Sequence, residues 1–87
     1  YVLTVGTLEP RKNHVTLFRA YAQYLELPGA RRLPLVVAGP TGWLYEDILA
    51  EPGRLGIADL VRFVGRVPAL APLYAGAAAF VYPSVYE

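Results

Sequence analysis

Leu33-Pro34-Leu35-Val36-Val37-Ala38-Gly39 (LPLVVAG) carries no charge, is β-branched at its centre and closes on glycine. A short, continuous apolar run of this kind reads as a strand buried on both faces, as in a parallel sheet with helices above and below. The stretches on either side repeat the theme. Tyr1–Gly6 is a second β-branched and aromatic run ending on glycine, Val61–Val64 a third that runs into Gly65, and Ala79–Tyr82 a fourth that runs into Pro83-Ser84. Between them lie helical patterns. His14–Leu27 sets Leu17, Phe18, Tyr21 and Leu25 on one face, with Asn13 as the expected N-cap and Pro28-Gly29 as the stop. Tyr45–Ala50 reads as a helix broken by Pro52-Gly53, and Leu70–Ala78 as a small-residue helix. Buried strands alternating with helices imply βαβ units, hence an α/β fold: a Rossmann-like open parallel sheet with helices on both faces.

Composition narrows the function. The 87 residues allow one domain at most, and a chain of this size buries only about 60–65% of its unfolded surface. Yet 55% of the residues are hydrophobic and 17% charged, an apolar balance expected of a piece whose faces other segments cover. A net charge of +1 with no basic cluster argues against nucleic acid. The absence of cysteine excludes disulfides and thiolate chemistry, and a single histidine, His14, argues against zinc. Val67–Tyr86 is uncharged over a bilayer's length, but Pro68, Pro72 and Pro83 would strand backbone groups in lipid, so no transmembrane segment is expected.

Strands that end in glycine deliver loops to the carboxyl edge of the sheet, where ligands bind in open α/β folds. The first such loop is Gly6-Thr7-Leu8-Glu9-Pro10-Arg11-Lys12-Asn13 (GTLEPRKN). Helix N-terminal amides, the fork of Arg11 and the point charge of Lys12 suit an anion. On local chemistry alone a solvated charged loop fits equally well. Neither G-x-G-x-x-G after the first strand nor G-x-x-x-x-G-K-[ST] is present, which disfavours dinucleotide dehydrogenases and P-loop NTPases. Trp43 and Tyr45 read as packing residues, His14 as a polar residue of the first helical turn, and Glu46, Asp47 and Glu51 as a solvated helix face.

Three blocks in order, GTLEPRKN, LVVAGPTGWLYEDI and VRFVGRVPALAPLYAGAAAFVYPSVYE, resemble the C-terminal, donor-binding half of a GT-B-fold glycosyltransferase of the GT4 type, across the whole chain. The resemblance implies retaining transfer of a sugar from a nucleotide-diphosphate-sugar donor to a sugar or lipid-linked sugar acceptor, the acceptor domain lying elsewhere. It implies no metal and no further cofactor, because a basic pair neutralises the diphosphate as it leaves. Gly6, Leu8 and Lys12 match the family's first loop. Thr7 stands where an arginine is common, so Arg11 and Lys12 are the expected catalytic cations. Glu87 matches the first glutamate of the E-x7-E motif that orients the donor sugar, whose second half would follow it. Gly39 and the loop from it would line the donor cleft, and Gly65-Arg66-Val67 would hold the nucleotide base. The expected binding set is thus Gly6, Thr7, Arg11, Lys12, Gly39, Arg66, Val67 and Glu87. The E-P-R-K-N subgroup resembles mannosyl- and rhamnosyltransferases of surface polysaccharide assembly, which implies a cytoplasmic enzyme, membrane-peripheral at most. The alternative is a non-catalytic Rossmann-like module for a phosphate ligand or a protein partner.

Overall fold

The computed structural model describes residues 1–84. Four strands, β1 (Val2–Val5), β2 (Leu35–Ala38), β3 (Val61–Gly65) and β4 (Ala79–Phe80), form one parallel sheet in the order β3-β2-β1-β4. Three helices connect them: α1 (His14–Leu25), α2 (Glu46–Arg54) and α3 (Ala71–Gly76). The expected α/β fold with an open parallel sheet is the one observed. The chain steps outward from β1 to β2 to β3, then returns across the sheet to place β4 on the other side of β1. Right-handed crossovers therefore put α1 and α2 on one face and α3 on the other.

Side chains bear this out. Val37 and Phe63 share a row of the sheet, and Phe63 meets Phe18 of α1 edge-on at 5.9 Å between ring centres. The core on this face joins Leu17, Phe18 and Tyr21 of α1 to Leu35, Val37 and Val61 of the sheet and Ile48 of α2. A fully buried aliphatic or aromatic side chain contributes about 1.5–3 kcal/mol, so this face holds the fold together. On the opposite face the Tyr1 hydroxyl donates to the Leu73 carbonyl, and Tyr74 of α3 lies 5.1 Å from Phe80 between ring centres. That cover is thin: Val64, Tyr74, Phe80 and Tyr82 all stay exposed.

Several expected boundaries move, each for a local reason. α2 does not stop at Pro52-Gly53 but runs to Arg54. The terminator is Gly56, in the left-handed region at φ 74°. Ile57 N–H bonds the Pro52 carbonyl at 2.9 Å and Gly56 N–H the Gly53 carbonyl at 3.2 Å, the paired closure of a Schellman motif. Pro52 is tolerated inside the last turn because it forfeits one bond while its ring is fully buried. α3 is shorter than Leu70–Ala78, and β4 pairs over two residues rather than four, although Val81 N–H still bonds the Leu3 carbonyl at 2.8 Å.

Glu51 is not part of a solvated face. It is buried between α1 and α2, taking Arg19 Nε on one oxygen at 3.0 Å and Arg54 Nε on the other at 2.9 Å. These hydrogen bonds, Arg19's before Arg54's, hold its carboxyl below the usual range. No helix is long and apolar enough to cross a membrane among the described residues.

Candidate functional site

The reversal of strand order falls between β1 and β4, and the loops leaving the carboxyl ends of the strands gather beside it. Their backbones are stitched together as extensions of the sheet. Gly6 N–H bonds the Ala38 carbonyl at 2.9 Å, Gly39 N–H the Gly65 carbonyl at 2.8 Å, and Leu8 N–H the Pro40 carbonyl at 2.9 Å. Gly39 sits at φ 140°, and a Cβ there would stand 2.0 Å from the Gly6 carbonyl oxygen. Only glycine lets these two loops touch.

A cavity of about 200 Å³ opens over this contact. Gly6, Thr7, Gly39, Pro40, Arg66 and Val67 line it, so five residues expected from three separate segments meet at one place. The aliphatic stem of Lys12 runs alongside, its Cδ 4.0 Å from where a Gly6 Cβ would be. Arg11 is the exception: its Nε pairs with Glu9 Oε1 at 2.5 Å, and the side chain lines a separate groove with Glu9, Pro10 and Trp43. The cation that lines the cavity is Arg66, expected there as part of a base-binding segment. Glu87 lies outside the described residues. Among these residues no three His, Asp or Glu side chains gather as metal ligands would.

Between loop and helix the chain takes a tight turn that the sequence pattern does not announce. Pro10–Lys12 form one turn of 3₁₀ helix, with proline at the first position where its missing N–H costs nothing. Asn13 follows in the left-handed region at φ 64°, a conformation asparagine tolerates better than most residues. It therefore does not cap α1 with its side chain. Its amide instead donates to the Pro83 carbonyl at 3.1 Å, tying the start of α1 to the segment after β4 across the reversal point. Ser84 Oγ reaches the Arg11 carbonyl at 3.5 Å on the same seam.

His14 stands in the first turn of α1 as expected, but it is 2% exposed, with its Nδ1 buried and without a hydrogen-bond partner among the described residues. Burial, and then the charge of Lys12, push its imidazole below the ordinary histidine value. Trp43 is not a packing residue: it is 75% exposed, whereas Tyr45 does pack against the core as expected. Apolarity alone could not separate the two. Leu44 between them takes a left-handed backbone at φ 55° and is itself exposed.

The chain is 43% identical over 90 residues to O-antigen chain mannosyltransferase B of Escherichia coli, covering all of this chain and 23% of that protein. It is 42% identical over 98 residues to D-inositol 3-phosphate glycosyltransferase 2 of Catenulispora acidiphila, covering 99% of this chain and 22% of that one. The chain thus spans less than a quarter of the length of these relatives. The crystal structure of Anabaena Alr3699/HepE in complex with UDP superposes over the whole chain, and over 24% of its own, with a TM-score of 0.79 at 22% identity, which speaks for the fold. The family described as "Glycosyl transferases group 1" matches residues 1–87, from the first strand to the last residue, and the chain belongs to it.

Proposed function

We propose that this chain is the donor-binding part of a retaining glycosyltransferase that takes a sugar from a nucleotide-diphosphate-sugar. The observation that carries the reading is the cavity at the reversal point, where Gly6, Thr7, Gly39, Arg66 and Val67 converge beside Lys12. Its floor is backbone, because Gly6 and Gly39 carry no side chain, and since their N–H groups are spent on the Ala38 and Gly65 carbonyls, side-chain cations would hold the phosphate oxygens. Lys12 supplies a point charge at this rim and Arg66 a planar fork in the wall. Arg11 adds positive charge at longer range, its own guanidinium being held by Glu9. In the reaction the bond from the anomeric carbon to the diphosphate oxygen breaks, and negative charge grows on the departing diphosphate. Cations fixed beforehand at that point lower the barrier without reorganising, and no metal is invoked. The new bond to the acceptor oxygen forms on the face the diphosphate leaves, the acceptor hydroxyl passing its proton to the departing diphosphate oxygen, with Glu87 orienting the donor sugar.

The E. coli relative's name supports mannose as the transferred sugar and O-antigen chain assembly as the setting. The test is calorimetric titration of the full chain with UDP, GDP and GDP-mannose. One nucleoside diphosphate should bind, and Lys12→Ala should weaken it about tenfold to a hundredfold, the range of a charge-assisted hydrogen bond of roughly 1.5–3 kcal/mol. Binding unchanged by that substitution would refute the assignment.

A further inference from the structure

The turn that carries Lys12 also reaches across the reversal of strand order. Asn13 closes this turn: its N–H bonds the Pro10 carbonyl at 3.0 Å, and its own carbonyl takes Leu17 N–H at 3.3 Å to open α1. Both of its backbone groups are therefore used locally, at φ 64° and ψ 29°. Glycine meets that left-handed geometry at no steric cost. What asparagine adds is a side-chain donor, and the Pro83 carbonyl receives it at 3.1 Å. Pro83 stands where such a partner is needed. Val81 N–H still makes a sheet bond to the Leu3 carbonyl, but Pro83 has no N–H with which to continue the ladder along β1. From Pro83 on, the turn takes over from the sheet: Asn13 holds the Pro83 carbonyl, and Ser84 Oγ reaches the Arg11 carbonyl at 3.5 Å.

Lys12 and Asn13 are consecutive, so the charge beside the donor cavity and the amide that holds Pro83 belong to one short turn. Glu87 follows Pro83 by four residues, and four residues span at most about 13–14 Å, so whatever fixes Pro83 limits what Glu87 can reach. We propose that Asn13 is a positioning residue for the donor sugar: by holding Pro83 it sets the chain that leads to Glu87 in place relative to Lys12. The inference rests on the transferase reading, which gives Lys12 to the diphosphate and Glu87 to the sugar. Its consequence is specific. Replacing Asn13 by glycine keeps the backbone of the Lys12 turn and removes only the tie to Pro83. The nucleoside diphosphate then binds as before, and the sugar attached to it is held less well.

The experiment is calorimetric titration of the full-length protein with GDP, GDP-mannose, UDP and UDP-glucose, for the parent, Asn13→Gly, Glu87→Gln and the double variant. Asn13→Gly should weaken the nucleotide-sugar about tenfold, the worth of one hydrogen bond to a charged group, and the matching nucleoside diphosphate by less than about twofold. Glu87→Gln should shift the ratio of the two affinities in the same direction. In the double variant the two losses should not add, because both act on one contact with the sugar. Thermal unfolding would verify that Asn13→Gly is folded. Equal losses for nucleotide-sugar and nucleotide, no loss for either, or losses that add in full would each overturn the proposal. A parent that binds neither nucleoside diphosphate would refute the donor reading and this inference with it, and that failure is recognised without any substitution.

Discussion

Gly39 and Gly6 meet so closely that a Cβ on the first would lie 2.0 Å from the carbonyl oxygen of the second. Both strain and overlap oppose any side chain at Gly39, because its φ of 140° is itself closed to L-residues. Gly39→Ala should therefore destabilise the fold by about 3 kcal/mol or more and close the cavity, as read by urea unfolding and nucleotide titration.

Gly56 provides the contrast. It too has positive φ, 74°, but a Cβ there meets nothing within 4 Å. Only the backbone preference is lost, so Gly56→Ala should cost about 1–2 kcal/mol. Nucleotide affinity should stay unchanged, since the Schellman turn lies at the far end of α2 from the donor cavity.

Among the cations, Arg66 lines the donor cavity and Arg11 does not. Arg66→Ala should weaken nucleoside diphosphate binding roughly tenfold or more, by the strength of a charge-assisted contact. Arg11→Ala should weaken it by less than Arg66→Ala does. Calorimetry on the two variants gives the order directly, and the reverse order would return the clamp to Arg11 and Lys12.

His14 makes stability depend on pH near neutrality. Its folded-state value is lowered, by burial first and Lys12 second, so the unfolded chain takes up a proton before the folded chain does. Stability is whole above the ordinary imidazole value, about 6.5, and declines as pH falls from there toward the lowered folded value. His14→Leu removes both the titration and the unpartnered Nδ1. Unfolding curves at roughly pH 5 and pH 8 should then differ less than in the parent, with the variant the more stable at the lower pH.

Glu51 acts lower on the scale. Its carboxyl is held below the usual range by the hydrogen bonds from Arg19 and then Arg54, so its contribution is present above the ordinary carboxylate value. That contribution is lost as pH falls through the lowered folded-state value. Glu51→Gln should lower Tm at neutral pH, and the gap to the parent should narrow steadily under acid, as followed by thermal scans across that range.

Much of this was legible in the residues. LPLVVAG and its three counterparts announce a buried parallel sheet because apolar runs need no partner information to be recognised. Gly6 and Gly39 could be placed at the carboxyl edge because each ends a strand, whereas Thr7, Arg66 and Val67 were named only through the resemblance. The parts that escaped depend on contacts between distant residues. Pro52 reads as a stop until its ring is seen buried and Gly56 is seen to close the helix. Asn13 does stand at the N-cap position, but its side chain is spent on Pro83, seventy residues away, rather than on the helix. Glu51 looks like its neighbours Glu46 and Asp47, and only the approach of Arg19 from another helix sets it apart. Neither the left-handed backbone of Leu44 nor the exposure of Trp43 has a sequence signature.

The short pairing of β4 has a mechanical consequence. β1, β2 and β3 are joined over four or five residues each, whereas β4 is held to β1 over two. The Asn13 amide on Pro83 then acts as a latch on the weaker side. The donor cavity thus borders a seam between a stiff three-stranded plate and a lightly fastened edge. The amide hydrogens of Ala78 and Val81, bonded to the Tyr1 and Leu3 carbonyls, should exchange faster than those of β2, and a diphosphate bridging the two sides would slow them.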